Sequence, residues 1–152
     1  HVISRASAVE RCREPVAAVQ PVEKARYTLN TDTLFAFGRS DLAAMTQKGR
    51  TALADVAAQI RPNSLEGVTR IAVRGHADPI GSAPENLRLS EQRAQTVRRV
   101  LADEGLPADR IAAEGMGSVE TVVSCVANRS RDARIACNAP NRRVEVVVQG
   151  VK

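Results

Sequence analysis

Asp78 and Arg93 are the pair of residues whose types could hold a small charged ligand. Asp78 follows Arg70-Ile71-Ala72-Val73-Arg74-Gly75, a short apolar run that reads as a buried strand. It therefore stands just beyond a strand end, where open α/β sheets place their ligand sites. If Ser90 caps the following helix, Arg93 falls in its first turn. A cation there opposes the helix dipole and calls for an anion, either a side chain or a ligand. Both readings stay open at this level: an internal Asp78–Arg93 ion pair, or a bound group held by both.

His76 lies two residues before Asp78, a spacing that puts both on one side of an extended chain. The pair suggests acid–base or metal chemistry but lacks a third ligand or a nucleophile. The other histidine is His1, and the sequence holds no GxSxG, no phosphate-cradling glycine loop and no His-x-x-Glu-His. The expectation is therefore no enzyme, no metal and no cofactor, with His76 a solvated loop residue beside a turn-forming aspartate. Cys12, Cys125 and Cys137 form no CxxC. Spacing leaves two readings, a Cys125–Cys137 disulfide or three free thiols.

The elements that must position these groups can be read from periodicity. Residues 1–24, with Pro15, Pro21 and mixed charges, read as a linker or flexible N-terminal segment, and 25–150 as the folded domain. Alternation from Arg26 to Asn30 predicts a strand. Ser40 and Asp41 offer caps for a helix whose apolar face runs from Leu42 to Ile60 and stops at Pro62. The second helix starts at Ser90, carries Ala94, Val97, Val100 and Leu101 on one face, and ends at Gly105 with Pro107 beyond. Strands at 110–113 and 143–148 complete an α/β pattern of βαβ units. The segment 116–140 carries both late cysteines and is where a partner surface would lie.

Composition bounds the function. The chain has 152 residues, a net charge of +5 and only three aromatics, Tyr27, Phe35 and Phe37. Three rings cannot build a stacking platform for single-stranded nucleic acid. No apolar run approaches the roughly 20 residues of a membrane-spanning helix. Because the sequence opens on His1, it is read as a mature fragment or excised domain, with any targeting signal and anchor outside it.

Gly75-His76-Ala77-Asp78, Gly81, Asn86, Leu89-Ser90, Arg93-Ala94, Val97 and Asn141-Arg142-Arg143-Val144-Glu145 together resemble the OmpA-like peptidoglycan-binding domain. Leu34-Phe35-Ala36-Phe37-Gly38 through Leu42 resembles its opening segment, and the likeness covers about residues 26–149. The resemblance implies a βαβαβ-type two-layer sandwich, a mixed sheet with helices packed on one face. It implies non-covalent binding of the diaminopimelate residue of the peptidoglycan stem peptide. In that scheme Asp78 accepts from the ligand ammonium and Arg93 grips its carboxylate. Asn86 bonds the ligand or holds the loop, Ile80 and Gly81 line the site, and Arg142 gives basic support.

Two departures from the family pattern bear on this site. Ala77 replaces a threonine, and Ala36 stands where many members have an aspartate, so a second acidic contact is expected to be missing. The resemblance also implies the Cys125–Cys137 disulfide of porin-type members, and with it an oxidising compartment. Cys12 is left over; Val9-Glu10-Arg11 before it is unlike a lipoprotein acylation site. The implied location is the periplasmic face of the outer membrane. The implied partners are peptidoglycan and, through a missing N-terminal region, that membrane; nucleic acid is not expected, and a homodimer is left open. The rivals are a polyanion-binding surface of Arg129, Arg131, Arg134, Arg142 and Arg143, and a protein-interaction or dimerisation module.

Overall fold

The computed structural model describes residues 21–61, 67–126 and 129–151. Strand β1 (Val22–Asn30) runs into a single helical turn, α1 (Thr31–Leu34), and a longer helix α2 (Gln47–Ile60) follows. Then come β2 (Val68–His76), α3 (Ala83–Asp103), β3 (Ile111–Gly115), the short α4 (Arg131–Cys137) and β4 (Arg143–Gly150). The strand order is β1-β4-β2-β3. β4 is antiparallel to both neighbours and β2 is parallel to β3, so the sheet is mixed. β1 takes in Val22–Lys24, which sequence alone assigns to the linker; residues 1–20 of that segment lie outside the described residues.

Strand alternation decides the layers. Ile71 and Val73 of β2, Ile111 of β3, and Val144, Val146 and Val148 of β4 form one apolar face. Against it pack Leu53, Val56 and Ile60 of α2 and Ala94, Val97, Val100 and Leu101 of α3. Both long helices thus cover one side, giving the two-layer α/β sandwich. On the opposite side Arg26, His76 and Arg143 meet Glu145, and Arg74 lies 3.8 Å from Glu114 of β3.

Both helix starts differ from expectation. Leu42–Ala44 is a single 3-10 turn, and α2 begins only at Gln47. Met45 is instead bridged to Phe35, and Thr46 is the cap, its Oγ1 accepting from Gly49 N at 2.9 Å. Thr46 also donates to the Thr33 carbonyl. Thr46→Ala is expected to cost about 1–2 kcal/mol in urea unfolding; an unchanged midpoint would show that the cap contributes nothing. α3 starts seven residues before the predicted Ser90, capped by Ser82 with Pro84 in its first turn. Proline is tolerated there because first-turn N–H groups have no intrahelical partner. The C-terminal reading stands: α3 ends at Asp103, and Gly105 follows at φ 102°.

The disulfide joins Cys125 to Cys137. Nearby, buried Asn141 accepts from Val122 N and Val123 N at 2.7 and 3.1 Å and donates to the Val123 carbonyl at 3.1 Å. Disulfide and amide together fasten Val122, Val123 and Cys125 to α4 and to the residues just ahead of β4.

Candidate functional site

A cleft of about 210 Å³ opens at the end of the sheet where β1 and β2 finish and β4 begins. All seven residues expected to bind ligand line it: Ala36, Asp78, Ile80, Gly81, Asn86, Arg93 and Arg142. Thr31, Asp32, Phe35, Phe37, Leu89, Arg131 and Ile135 also line it and were not anticipated. Two of the three aromatics therefore face the site.

Each charged side chain is held by a local device. Asp78 closes an Asx turn, its Oδ1 accepting from Ile80 N at 3.0 Å. Asn86, on the first turns of α3, donates to the carbonyls of Asp78 and Ile80 at 3.1 and 3.0 Å, so its side chain holds the loop. Gly81 follows Ile80 at φ 91°, a conformation glycine adopts without strain. Ala77, buried behind Asp78, is anchored through its backbone, its N donating to the Gly117 carbonyl at 2.8 Å.

Arg142 donates from Nη1 to Asp78 Oδ2 at 2.7 Å and from Nη2 to Asp32 Oδ2 at 3.0 Å. Nη1 also reaches the Ile135 carbonyl at 3.0 Å. Burial pulls its guanidinium down, but the two carboxylates outweigh burial and hold it above the ordinary arginine value. The internal ion pair of Asp78 is thus with Arg142, not with Arg93.

Arg93 is buried, at 7% exposure, and its location corrects the dipole argument. Because α3 begins at Ala83, Arg93 lies about three turns inside the helix, away from the dipole's positive end. Its Nε donates to the Arg39 carbonyl at 2.9 Å, and its guanidinium stands 6.0 Å from the Phe35 ring centre. Nη1 and Nη2 have no hydrogen bond among the described residues. Desolvation pushes Arg93 below its ordinary value, while the Asp32 and Asp78 charges oppose that shift. A buried guanidinium with two open donors has the chemistry to receive a carboxylate.

Asp32 is the residue that sequence reasoning missed. Asn30 caps α1, accepting from Asp32 N at 2.8 Å, and Asp32 then reaches Arg142 across 110 positions of sequence. The cleft therefore does hold a second acid, supplied from α1 in place of position 36. The visible signal was Asn30 two residues before an aspartate at a strand end.

His76 is likewise not a loop residue. It ends β2, is 2% exposed, and its Nε2 lies 2.8 Å from Glu145 Oε1. Asp78 bonds Ile80 and Arg142 instead, so the two share no partner. Among the described residues no three His, Cys, Asp or Glu side chains are grouped to hold a metal. The five arginines considered for a polyanion do not share a surface. Arg143 is buried against Glu145 and the Glu120 carbonyl, and Arg142 is committed to the cleft.

The family model described as the OmpA family matches residues 34–134. Outer membrane protein A of Serratia marcescens is 38% identical over 135 residues, covering 86% of this chain and 36% of the relative. Outer membrane protein P5 of Haemophilus influenzae is 36% identical, covering 91% and 38%. The chain thus spans a little over a third of the length of these curated relatives. Among solved structures, the cell wall anchor of the T6SS from Pseudomonas aeruginosa is 29% identical with a TM-score of 0.61, covering 91% of both chains. With its mixed sheet, its charged cleft and a family match over most of its length, this chain belongs to the OmpA family.

Proposed function

We propose that this domain binds peptidoglycan without covalent chemistry, by gripping the zwitterionic end of the stem-peptide diaminopimelate, and so ties the outer membrane to the cell wall from its periplasmic side. The observation that carries the reading is the pairing, in one cleft, of buried Arg93 with two open Nη groups and the carboxylate of Asp78. Arg93 receives the ligand carboxylate through its planar fork, and Asp78 accepts from the ammonium. Asp32 adds a second carboxylate, and Arg142 holds both acids in place until the ligand arrives. Recognition needs no nucleophile, metal or cofactor, so the domain is a binding module and not an enzyme. The relatives support the setting: two are named as outer membrane proteins, and the Pseudomonas structure is described as a cell wall anchor. The disulfide fits an oxidising compartment.

The test is retention on purified sacculi. Asp78→Asn and Arg93→Gln each remove one charge-assisted contact while keeping shape, and each is expected to weaken binding by about 10- to 100-fold. Arg93→Lys is expected to fall with them, because a point charge cannot reproduce the fork. Variants that stay folded and bind like the parent would sink the proposal.

A further inference from the structure

We propose that Arg131 reads a second carboxylate of the ligand, making the cleft selective for a stem peptide that offers one ammonium and two carboxylates within reach. This rests on the peptidoglycan reading above and concerns what lies beyond the zwitterion. Five charged side chains line the cleft: Asp32, Asp78, Arg93, Arg131 and Arg142. Arg142 is occupied by both acids. Arg93 is fixed through Nε and directs its open donors at one carboxylate. Arg131 is exposed and has no hydrogen bond or ion pair to any described residue. A zwitterion brings no net charge, so it satisfies Asp78 and Arg93 and leaves the surplus cation unanswered. A ligand with one more carboxylate answers it.

The wall carrying Arg131 is built to stay in place. Arg131 opens α4, whose cap Ser130 accepts from Ala133 N at 3.2 Å. One turn on, Ile135 also lines the cleft and offers its carbonyl to Arg142, the guanidinium that holds Asp78. Cys137 ends the helix in the disulfide to Cys125. The base of Arg131 is therefore tied to the same network as the zwitterion site, while its long side chain reaches from the rim.

The stem tripeptide carries the second carboxylate at two places, on the D-glutamate and on the diaminopimelate carbon remote from the free amine. Calorimetric titration of the domain and of Arg131→Gln with the stem tripeptide, and with each of its two mono-amides at those carboxyls, separates the sources. The expected result is that the domain binds one mono-amide about three- to tenfold more weakly than the parent peptide, an effect of the size given by one solvent-accessible charge pair. Arg131→Gln is expected to bind that mono-amide and the parent equally, with an unchanged melting temperature. Which amide matters identifies the carboxylate. Equal binding of all three peptides by the unmodified domain would overturn the proposal, as would discrimination that persists in Arg131→Gln. Loss of all binding to the unmodified domain would instead overturn the peptidoglycan reading on which it rests.

Discussion

Gly75→Ala is expected to destabilise the domain by about 3 kcal/mol and to abolish ligand binding in the same step. A Cβ at Gly75 would lie 2.3 Å from the Ser90 carbonyl oxygen and 3.1 Å from its carbon. These are backbone atoms in the interior of α3, so no rotamer change relieves the overlap. β2 and α3 would have to separate by about an ångström, opening the packed layer between them. Gly115 on the adjacent strand meets α3 in the same way, with Glu91 N at 2.6 Å from an added Cβ. Binding suffers because Gly75 lies three residues before Asp78, while α3 carries Asn86 and Arg93 on either side of Ser90.

Gly38 is the control. It has open space around an added Cβ and only a φ of 71° to object, so Gly38→Ala is expected to cost about 1 kcal/mol. Urea unfolding and sacculus binding of both variants decide the matter. Equal losses at the two sites would mean that strand–helix approach is not what Gly75 is for.

Glu145→Gln is expected to cost about 3–5 kcal/mol at neutral pH. Glu145 accepts from His76 and Arg26 at 2.8 and 2.9 Å, and from buried Arg143 at 3.4 Å. Removing its charge leaves a buried guanidinium without its carboxylate, which is the expensive way to break such a cluster. Because a carboxylate only accepts, His76 Nε2 carries the hydrogen; Nδ1 is then an acceptor, buried and without a partner. Protonating Nδ1 would put a second N–H in that same place.

Burial, and next Arg143, lower the His76 pKa below 6.5, against the pull of Glu145. The unfolded state therefore takes up the proton first, and stability falls as pH drops below about 6.5 toward the native value. Burial acts to raise Glu145, but Arg143 and His76 outweigh it and hold the carboxyl below 4.5. Its contribution is present above 4.5 and is lost as pH falls through the native value. Unfolding midpoints from pH 8 to pH 3 should stay level above about 7 and then decline in two stages. His76→Gln should remove the upper stage. A midpoint that rises on acidification from pH 7 to pH 5 would contradict the buried neutral histidine.

The parts of this structure that could be read from sequence are those whose cause is local. Val144, Val146 and Val148 alternate, and Gly105 and Pro107 end a helix, whatever the rest of the chain does. The helix starts misled because several caps competed: Ser90 looked like a start, yet its hydroxyl serves the interior, donating to the Leu87 carbonyl and accepting from Gly117 N. The family motif identified Asp78, Arg93 and Arg142, but not who pairs with whom. That depends on β4 lying between β1 and β2, which sets Arg142 beside Asp32 and Asp78 at once. His76 was misjudged for the same reason, since its partner Glu145 belongs to a strand formed 69 residues later.

The antiparallel β1–β4 pairing has a mechanical consequence. Val22 stands opposite Gly150, and Asn30 opposite Arg143, so the cleft lies at one end of β1 and the chain enters at the other. Tension between a ligand held by Asp78 and Arg93 and the polypeptide before Val22 would have to cross from β2 and β4 to β1, along a strand axis of about 30 Å. Such a pull shears the ladder and loads its hydrogen bonds together, whereas a perpendicular pull would peel them one after another. Under that load the β1–β4 pair would act as a lap joint.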